Sequence, residues 1–455
     1  MIEEINLDSK KFKYTTGQIN TSIKGYSNDG YLTALINDND KISINFKISD
    51  TCYYKIDICY ASPDEEVSHK IFINDECYGN IDFEESDKFI VKSIEKLKLN
   101  NGNNKLEFLK EKGNINIDHI IIQRLDDEAD TDFDFSLSNK NASEECIGLM
   151  KMFSKICGRG ILSGQHCNKA SATDIEYVKL VTGKTPAILG FDLLSYSFGI
   201  NSEDRDFECI DELVNNRGSV ETAIKYGENS NSIISLCWHW FSPMNGRNKS
   251  FYSENTTFDL EKALINGTEE NIAMIRDLDA IAYELNKFKE KKIPILWRPL
   301  HEACGGWFWW GSKGPEIYIK LYRLMYDRYV NYHKLNNLIW VWNSPKKEWY
   351  PGDDVVDIYS VDYYAPIGNH GPLTNEYLKT AESAQANKAI ALGENGPIPD
   401  PKLLKKTKTP WLWFMTWNNF GNNFMWNTKD ELRKFYNDPY VINSEDLGRL
   451  RVKIK

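Results

Sequence analysis

From about residue 140 onward the chain repeats one arrangement eight times: a short apolar run of β-like residues, then a longer segment of helical periodicity. The β-like runs are Gly160 to Gln165, Ala187 to Asp192, Ser232 to Trp240, Ile293 to Glu302, Asn337 to Asn343, Asp357 to Tyr364, Ala389 to Glu394 and Trp411 to Trp417. Segments such as Glu144 to Cys157 and Glu269 to Lys287 supply the helical part. Nearly continuous apolar runs suit strands covered on both faces, and eight strand-plus-crossover units over roughly 315 residues predict an α/β fold, a (β/α)8 TIM barrel. Such a barrel gathers its chemistry where the strands end. The residues at those ends are His166, Asp192, His239, Glu302, Asn343, Asp362, Glu394 and Trp417, which are therefore expected to share one mouth.

The text before residue 124 is different. Short alternating runs, Lys41 to Ile48, Tyr53 to Tyr60, Lys70 to Asn74, Lys105 to Leu109 and Ile115 to Gln123, are separated by Asn, Asp and Gly, the pattern of an all-β sandwich of jelly-roll type. Asp126 to Asp132 is acidic and almost free of apolar residues, so it reads as solvated linker. The expected organisation is a sandwich over 1–124, an acidic linker over 125–140 and the barrel over 141–455.

Composition removes several function classes. A net charge of -11 with no Lys/Arg stripe argues against nucleic acid as a partner. No apolar run is long enough to span a bilayer, and Met1-Ile2-Glu3-Glu4 is not the start of an export signal, so a soluble chain without membrane contact is expected. The nine cysteines, an odd number, are scattered without a CxxC pair, which argues against both a zinc ribbon and a fully paired disulfide framework. Cys304 lies close to Glu302, but no His is positioned by the sequence to activate it.

The chemistry concentrates in Trp297-Arg298-Pro299-Leu300-His301-Glu302, followed by Gly305-Gly306-Trp307-Phe308-Trp309-Trp310-Gly311. A carboxyl among aromatic walls is how a raised pKa is made. The rival reading of His-Glu, a zinc-protease helix, needs a second His where this chain has Gly305, so no metal is expected in the reaction. Retaining hydrolysis of a glycosidic bond needs a second carboxyl about 5–5.5 Å from the first. Glu394, in Ile390-Ala391-Leu392-Gly393-Glu394-Asn395-Gly396, ends another strand of the same predicted barrel, and Gly393 and Gly396 leave space beside it for a sugar ring. His239, between Trp238 and Trp240, is a substrate-contact candidate. His301 should face away from Glu302 if the strand stays extended. Asp362 and Tyr364 share a face, so the Tyr364 phenol could reach the Glu394 carboxylate. Trp307 and Trp417 are candidate sugar platforms. Trp309 and Trp310 are assigned to the core.

Together these residues resemble glycoside hydrolase family 26, mostly β-mannanases. The resemblance runs from about Gly160 to Trp426 and rests on Leu162-Ser163-Gly164-Gln165-His166, Trp238-His239-Trp240, Trp297 to Gly311, Tyr350-Pro351-Gly352-Asp353-Asp354, Asp362-Tyr363-Tyr364 and the Glu394 segment. It implies a retaining endo-β-1,4-mannanase acting on mannan, glucomannan or galactomannan and their oligosaccharides. Glu302 would be the acid/base and Glu394 the nucleophile, with His239, His301, Trp307, Asp362, Tyr364 and Trp417 lining the subsites. Many of its mannanases carry Arg where this chain has Asn418. The alternatives are a β-1,3-xylanase or β-1,3-1,4-glucanase on the same scaffold, or a polysaccharide-binding protein without turnover.

The first domain resembles carbohydrate-binding module family 35, through Gly25-Tyr26-Ser27-Asn28-Asp29-Gly30-Tyr31, Tyr54 to Ala61, Ile71 to Asp75 and Asn101-Gly102-Asn103-Asn104 leading to Ile117-Asp118. That resemblance implies a structural calcium, which such modules hold through N-terminal acidic residues and an Asp near the last strand, here Asp118, although the family's Glu-x-Glu start is not evident in Ile2-Glu3-Glu4-Ile5-Asn6-Leu7-Asp8. No cofactor is expected for the reaction itself. A monomer is expected, working outside the cell because mannan cannot cross a membrane intact, with a cytoplasmic oligosaccharide-degrading enzyme as the alternative.

Overall fold

Alternation decides the first domain: along Lys41–Ile48 the buried positions are Ile42, Ile44, Phe46 and Ile48, one face of a pleated strand. The computed structural model describes residues 2–6, 12–27, 29–125, 133–167, 170–198, 207–244, 250–383, 387–419 and 425–452. In it, eleven strands precede residue 125: β1 (Ile2–Asn6), β2 (Phe12–Tyr14), β3 (Gly17–Asn20), β4 (Tyr31–Ala34), β5 (Lys41–Ile48), β6 (Cys52–Ser62), β7 (Val67–Ile73), β8 (Glu76–Phe83), β9 (Ser86–Leu99), β10 (Gly102–Lys112) and β11 (Ile115–Arg124). One antiparallel sheet runs β3-β4-β11-β6-β9, with β1 also on β11, and the second runs β2-β5-β10-β7-β8. Their apolar faces, including Ile44, Phe46, Ile56, Ile58, Ile71, Leu106, Phe108 and Ile120, make one core. This is the expected β-sandwich.

The calcium expectation meets a mixed set of donors. In β11 an extra residue between Ile117 and His119 leaves Asp118 and His119 together opposite Cys59. Both Asp118 carboxylate oxygens accept from the Ser27 amide, at 2.9 and 3.0 Å, and Oδ2 also faces His119 Nδ1 at 2.9 Å. A thiol and an imidazole are not the oxygen ligands calcium takes, so within the cluster of Cys59, Asp118 and His119 only Asp118 offers one. Asp8 and the side chains of Glu3 and Glu4 lie outside the described residues.

The chain divides into two compact units, one comprising Met1–Thr131, Pro366–Asn375 and Pro399–Thr409, the other the remainder. Residues 126–132 of the expected acidic linker lie outside the described set. Those from 133 to 140 are not linker: they belong to the second unit, where Asp134 N–H donates to Asn387 O at 2.7 Å and Ser138 N–H to the buried Asp357 carboxylate at 2.6 Å.

The second unit is the barrel. Its strands are β12 (Ile161–Leu162), β13 (Gly164–His166), β14 (Ile188–Asp192), β15 (Ile233–Cys237), β16 (Ile295–Arg298), β17 (Leu338–Trp342), β18 (Ile358–Tyr363), β19 (Ile390–Asn395) and β20 (Val441–Ile442). β13 to β19 form one parallel sheet in chain order. The eighth run, Trp411 to Trp417, is not a continuous strand, yet its backbone joins the two ends of that sheet. Leu392 N–H donates to Trp413 O at 3.0 Å on one side, while His166 N–H donates to Thr416 O at 2.8 Å on the other. Helices begin where sequence signals place them. Ser143 caps Glu144–Ile156 by accepting from Cys146 N–H, and Thr268 caps the 22-residue Glu269–Glu290. The apolar stripe of the first, with Leu149, Met152, Phe153 and Ile156, packs on the barrel strands.

Two strands end earlier than their apolar runs. β15 stops at Cys237 and β16 at Arg298, so His239 and Glu302 stand on the loops that follow. Trp238 and Trp240 are core residues, stacked on each other at 4.2 Å with their indole N–H groups bonded to Ser197 Oγ and Asp277 Oδ2. They therefore give no support for reading His239 as part of an aromatic sugar wall.

Candidate active site

Arg298, the last residue of β16, is a buried guanidinium among apolar neighbours, and a charge so placed needs ionised partners. It finds two. Nη1 donates to Asp362 Oδ2 at 2.7 Å and Nη2 to Glu394 Oε1. Asp362 sits near the end of β18, where a register shift after Val361 sets it opposite Glu394 of β19. Its other oxygen accepts from Asn343 Nδ2 at 2.7 Å. Gly393 makes this packing feasible, because a Cβ there would lie 2.5 Å from Asp362 Oδ1 and 2.7 Å from Asn343 Nδ2. The small residue beside Glu394 thus makes room for this polar network rather than for a sugar ring.

After Arg298 the backbone leaves the extended region. Leu300 and Glu302 both adopt left-handed conformations, with φ of 50° and 53°. Strand alternation no longer applies, and His301 turns its ring into the site instead of away from it. The turn is held by Asn343, whose backbone oxygen accepts from Glu302 N–H at 2.8 Å, and by Ser344 Oγ, which accepts from Ala303 N–H at 3.0 Å.

Glu302 and Glu394 thereby meet. Carboxylate oxygens of Glu302, Asp362 and Glu394 lie within 4.8 Å of one another. That separation fits the roughly 5–5.5 Å of a retaining pair and not the about 6.5–9.5 Å that leaves room for an inverting water. The two carboxyls differ in their partners. Among the described residues Glu302 accepts only the Trp307 indole N–H, at 2.9 Å, and burial followed by the charge of Glu394 pushes its pKa up. Burial and Asp362 raise Glu394 too, but Arg298 and the Tyr364 hydroxyl, at 2.6 Å, pull against that rise. Glu394 thus carries a guanidinium and a phenol on its carboxylate and Glu302 a single indole N–H, an arrangement that favours the proton on Glu302. Asp362 is pushed up to about 7, chiefly by burial, with Arg298 opposing.

The remaining expected residues surround this pair. His239 Nε2 lies 3.2 Å from His301 Nε2, and His239 Nδ1 bonds Asp192. Trp307 is half exposed and lies over Gly305, where any Cβ would meet the indole ring at 2.1 Å. Trp417, partly exposed, stacks on His166 at 4.0 Å and meets the edge of His239 at 5.7 Å. Trp309 and Trp310 are core, as expected, donating to Trp240 O and His301 O. Among the described residues no imidazole bonds to Cys304, and burial raises its thiol. Arg298 was missed by the sequence reading, although a single Arg within Ile293 to Leu300 was the available signal. Asp192 and Asn343 were placed at the mouth without a role.

Comparisons with known proteins point to one family for each domain. Residues 138–446 match the model of glycosyl hydrolase family 26, and residues 5–125 match carbohydrate binding module family 35. A mannan endo-1,4-β-mannosidase of Thermothelomyces thermophilus is 35% identical over 94% of this chain and 87% of its own. Mannan endo-1,4-β-mannosidase A of a Piromyces species is 30% identical over 98% and 74%. The crystal structure of a Podospora anserina GH26-CBM35 β-(1,4)-mannanase superposes with a TM-score of 0.70 at 33% identity, covering 99% of both chains.

Proposed function

Because the chain belongs to glycosyl hydrolase family 26, we infer that it is a retaining endo-β-1,4-mannanase that cleaves mannan, glucomannan or galactomannan. The observation that carries the reading is the unequal pair: two carboxyls within 4.8 Å, of which only Glu394 is bonded to Arg298 and Tyr364. Protonated Glu302 gives its proton to the departing glycosidic oxygen as the Glu394 carboxylate attacks the anomeric carbon. The bond to the leaving sugar breaks, and a covalent glycosyl-enzyme forms. Glu302, now ionised, takes a proton from the incoming water, whose oxygen attacks the anomeric carbon and releases Glu394. His239, His301, Trp307, Asp362, Tyr364 and Trp417 line the subsites around this centre. No step uses a metal.

The family 35 module binds the polysaccharide and raises the local concentration of cleavable chains. Among the described residues no helix is long and apolar enough to cross a membrane, and a polymeric substrate argues for work outside the cell. The test is release of reducing ends from linear mannan, glucomannan, mixed-linkage glucan and β-1,3-xylan at equal enzyme concentration, with product lengths resolved. Selective conversion of the two mannose-containing polymers to mixed short oligomers is expected. Cleavage of only mixed-linkage glucan or only β-1,3-xylan would overturn the substrate, and no release from any polymer would leave a binding protein.

A further inference from the structure

The two histidines beside the catalytic carboxyls face each other through the same ring atom, and a third residue decides how they share a proton. Asp192, the last residue of β14, is buried with three donors on its carboxylate. Oδ1 accepts from Leu194 N–H at 2.9 Å and from His239 N–H at 3.0 Å, and Oδ2 accepts from His239 Nδ1. Its own backbone oxygen is braced by Asn216 Nδ2 at 3.0 Å and Ser219 Oγ at 2.8 Å. A carboxylate can only accept, so His239 Nδ1 carries a proton.

That leaves the pair of Nε2 atoms, 3.2 Å apart. Two lone pairs or two protons in that gap would repel, so exactly one of the rings donates there. If His301 donated, His239 would be neutral and Asp192 would keep an uncompensated buried charge. If His239 donates, it is an imidazolium paired with Asp192, and the cost is one buried His301 Nδ1–H without a hydrogen-bond partner among the described residues. An unpaired buried charge costs more than one orphan donor. The groups around His239 agree: Asp192, Glu394 and Glu212 favour its charge, against burial, and the nearby imidazoles of His166 and His301 are held neutral, both by burial first. The remaining neighbour, the Cys237 thiol, is held protonated by burial.

Resting on the mannanase reading above, we propose that Asp192 is a positioning residue for the reaction: it holds His239 as an imidazolium whose Nε2–H is donated to His301, setting a fixed cation beside Glu302 and Glu394. That cation draws both carboxyls toward ionisation without touching either. It also orients the His301 ring next to the acid/base.

Asp192→Asn tests this, because the isosteric amide can still accept from the two backbone N–H groups while losing the charge. With [15N]histidine labelling the chain has seven imidazoles to resolve, and His239→Asn identifies the relevant one. In the wild type that ring should be doubly protonated beyond the ordinary imidazole value of 6.5. In Asp192→Asn it should lose its proton about one pH unit or more earlier. Without that cation both carboxyls ionise less readily, so the limbs of kcat/KM should move to higher pH, and kcat/KM at the optimum should fall about 10²-fold in an enzyme that still melts cooperatively. A wild-type His239 neutral at pH 6, or a folded Asp192→Asn with unmoved limbs, would overturn the proposal. Wild-type enzyme that leaves mannan intact would instead remove the mannanase reading, and the imidazole titration would still decide the triad.

Discussion

Asp357 and Asp362 stand at the two ends of β18, both buried, both with carboxyls that burial pushes above the usual range. Their partners differ. Asp357, just before the strand begins, accepts from the backbone amides of Ser138 at 2.6 Å and Trp340 at 2.7 Å, tying the segment that enters the barrel unit to its lower rim. Asp362 accepts from Arg298 and Asn343 and lies within 4.8 Å of two further carboxyls. Burial of a carboxylate is therefore no sign of chemistry by itself. What marks the upper end is that several ionisable groups share too few countercharges, on a backbone held in left-handed conformations at Leu300 and Glu302.

Substitutions at the two ends should separate catalysis from stability. The largest loss is expected at the carboxyl pair. Glu394→Ala should remove turnover of polymer while leaving mannan binding measurable by affinity electrophoresis, and Glu302→Ala should lower kcat by about 10²–10⁴-fold. On an aryl mannobioside with an activated phenol, Glu302→Ala should recover bond cleavage, because that leaving group departs without a proton. Arg298→Met comes next. It strips the cation from two buried carboxyls and should cost about 3–5 kcal/mol of stability by denaturant titration. Arg298 pulls Glu394 down, so its loss raises the Glu394 pKa, and the acidic limb of kcat/KM should move to higher pH.

Gly393→Ala should be milder, costing about 1–3 kcal/mol as Asp362 and Asn343 are forced apart, with a visible fall in kcat. Asp357→Asn should have the smallest effect on activity, none on kcat, with about 1–2 kcal/mol lost in stability. Its pH dependence has a definite sign. A carboxyl whose folded pKa is raised contributes stability below its unfolded value, lost as pH rises through the folded one. Melting temperatures of the wild type and Asp357→Asn should therefore converge from pH 4 to pH 8. Loss of kcat in Asp357→Asn would mean that the two ends of β18 are not independent.

Much of the barrel was legible because its eight apolar runs end in polar residues, and periodicity records burial directly. Strand ends were read too long at Trp240 and Glu302, since Trp238, Trp240 and Leu300 are as buried as strand residues while lying on loops. The pairing of Glu302 with Glu394 and the reach of Tyr364 followed from topology and alternation. The direction of His301 did not, because it depends on two left-handed residues that no side-chain pattern announces. Arg298 was readable in principle as a charge in an apolar run, but its partners lie 64 and 96 residues away and only the folded sheet brings them to it. The role of Gly393 was likewise invisible, since the atoms it makes room for come from Asp362, Asn343 and Ser360.

The most direct measurement is proton NMR of the anomeric configuration of the first product released from mannohexaose, recorded before mutarotation. Attack by Glu394 on one face, then by water on the opposite face that the leaving group vacated, gives the β-anomer first, with the α-anomer growing in afterwards. An α-anomer appearing first would contradict a double displacement through the Glu302 and Glu394 pair.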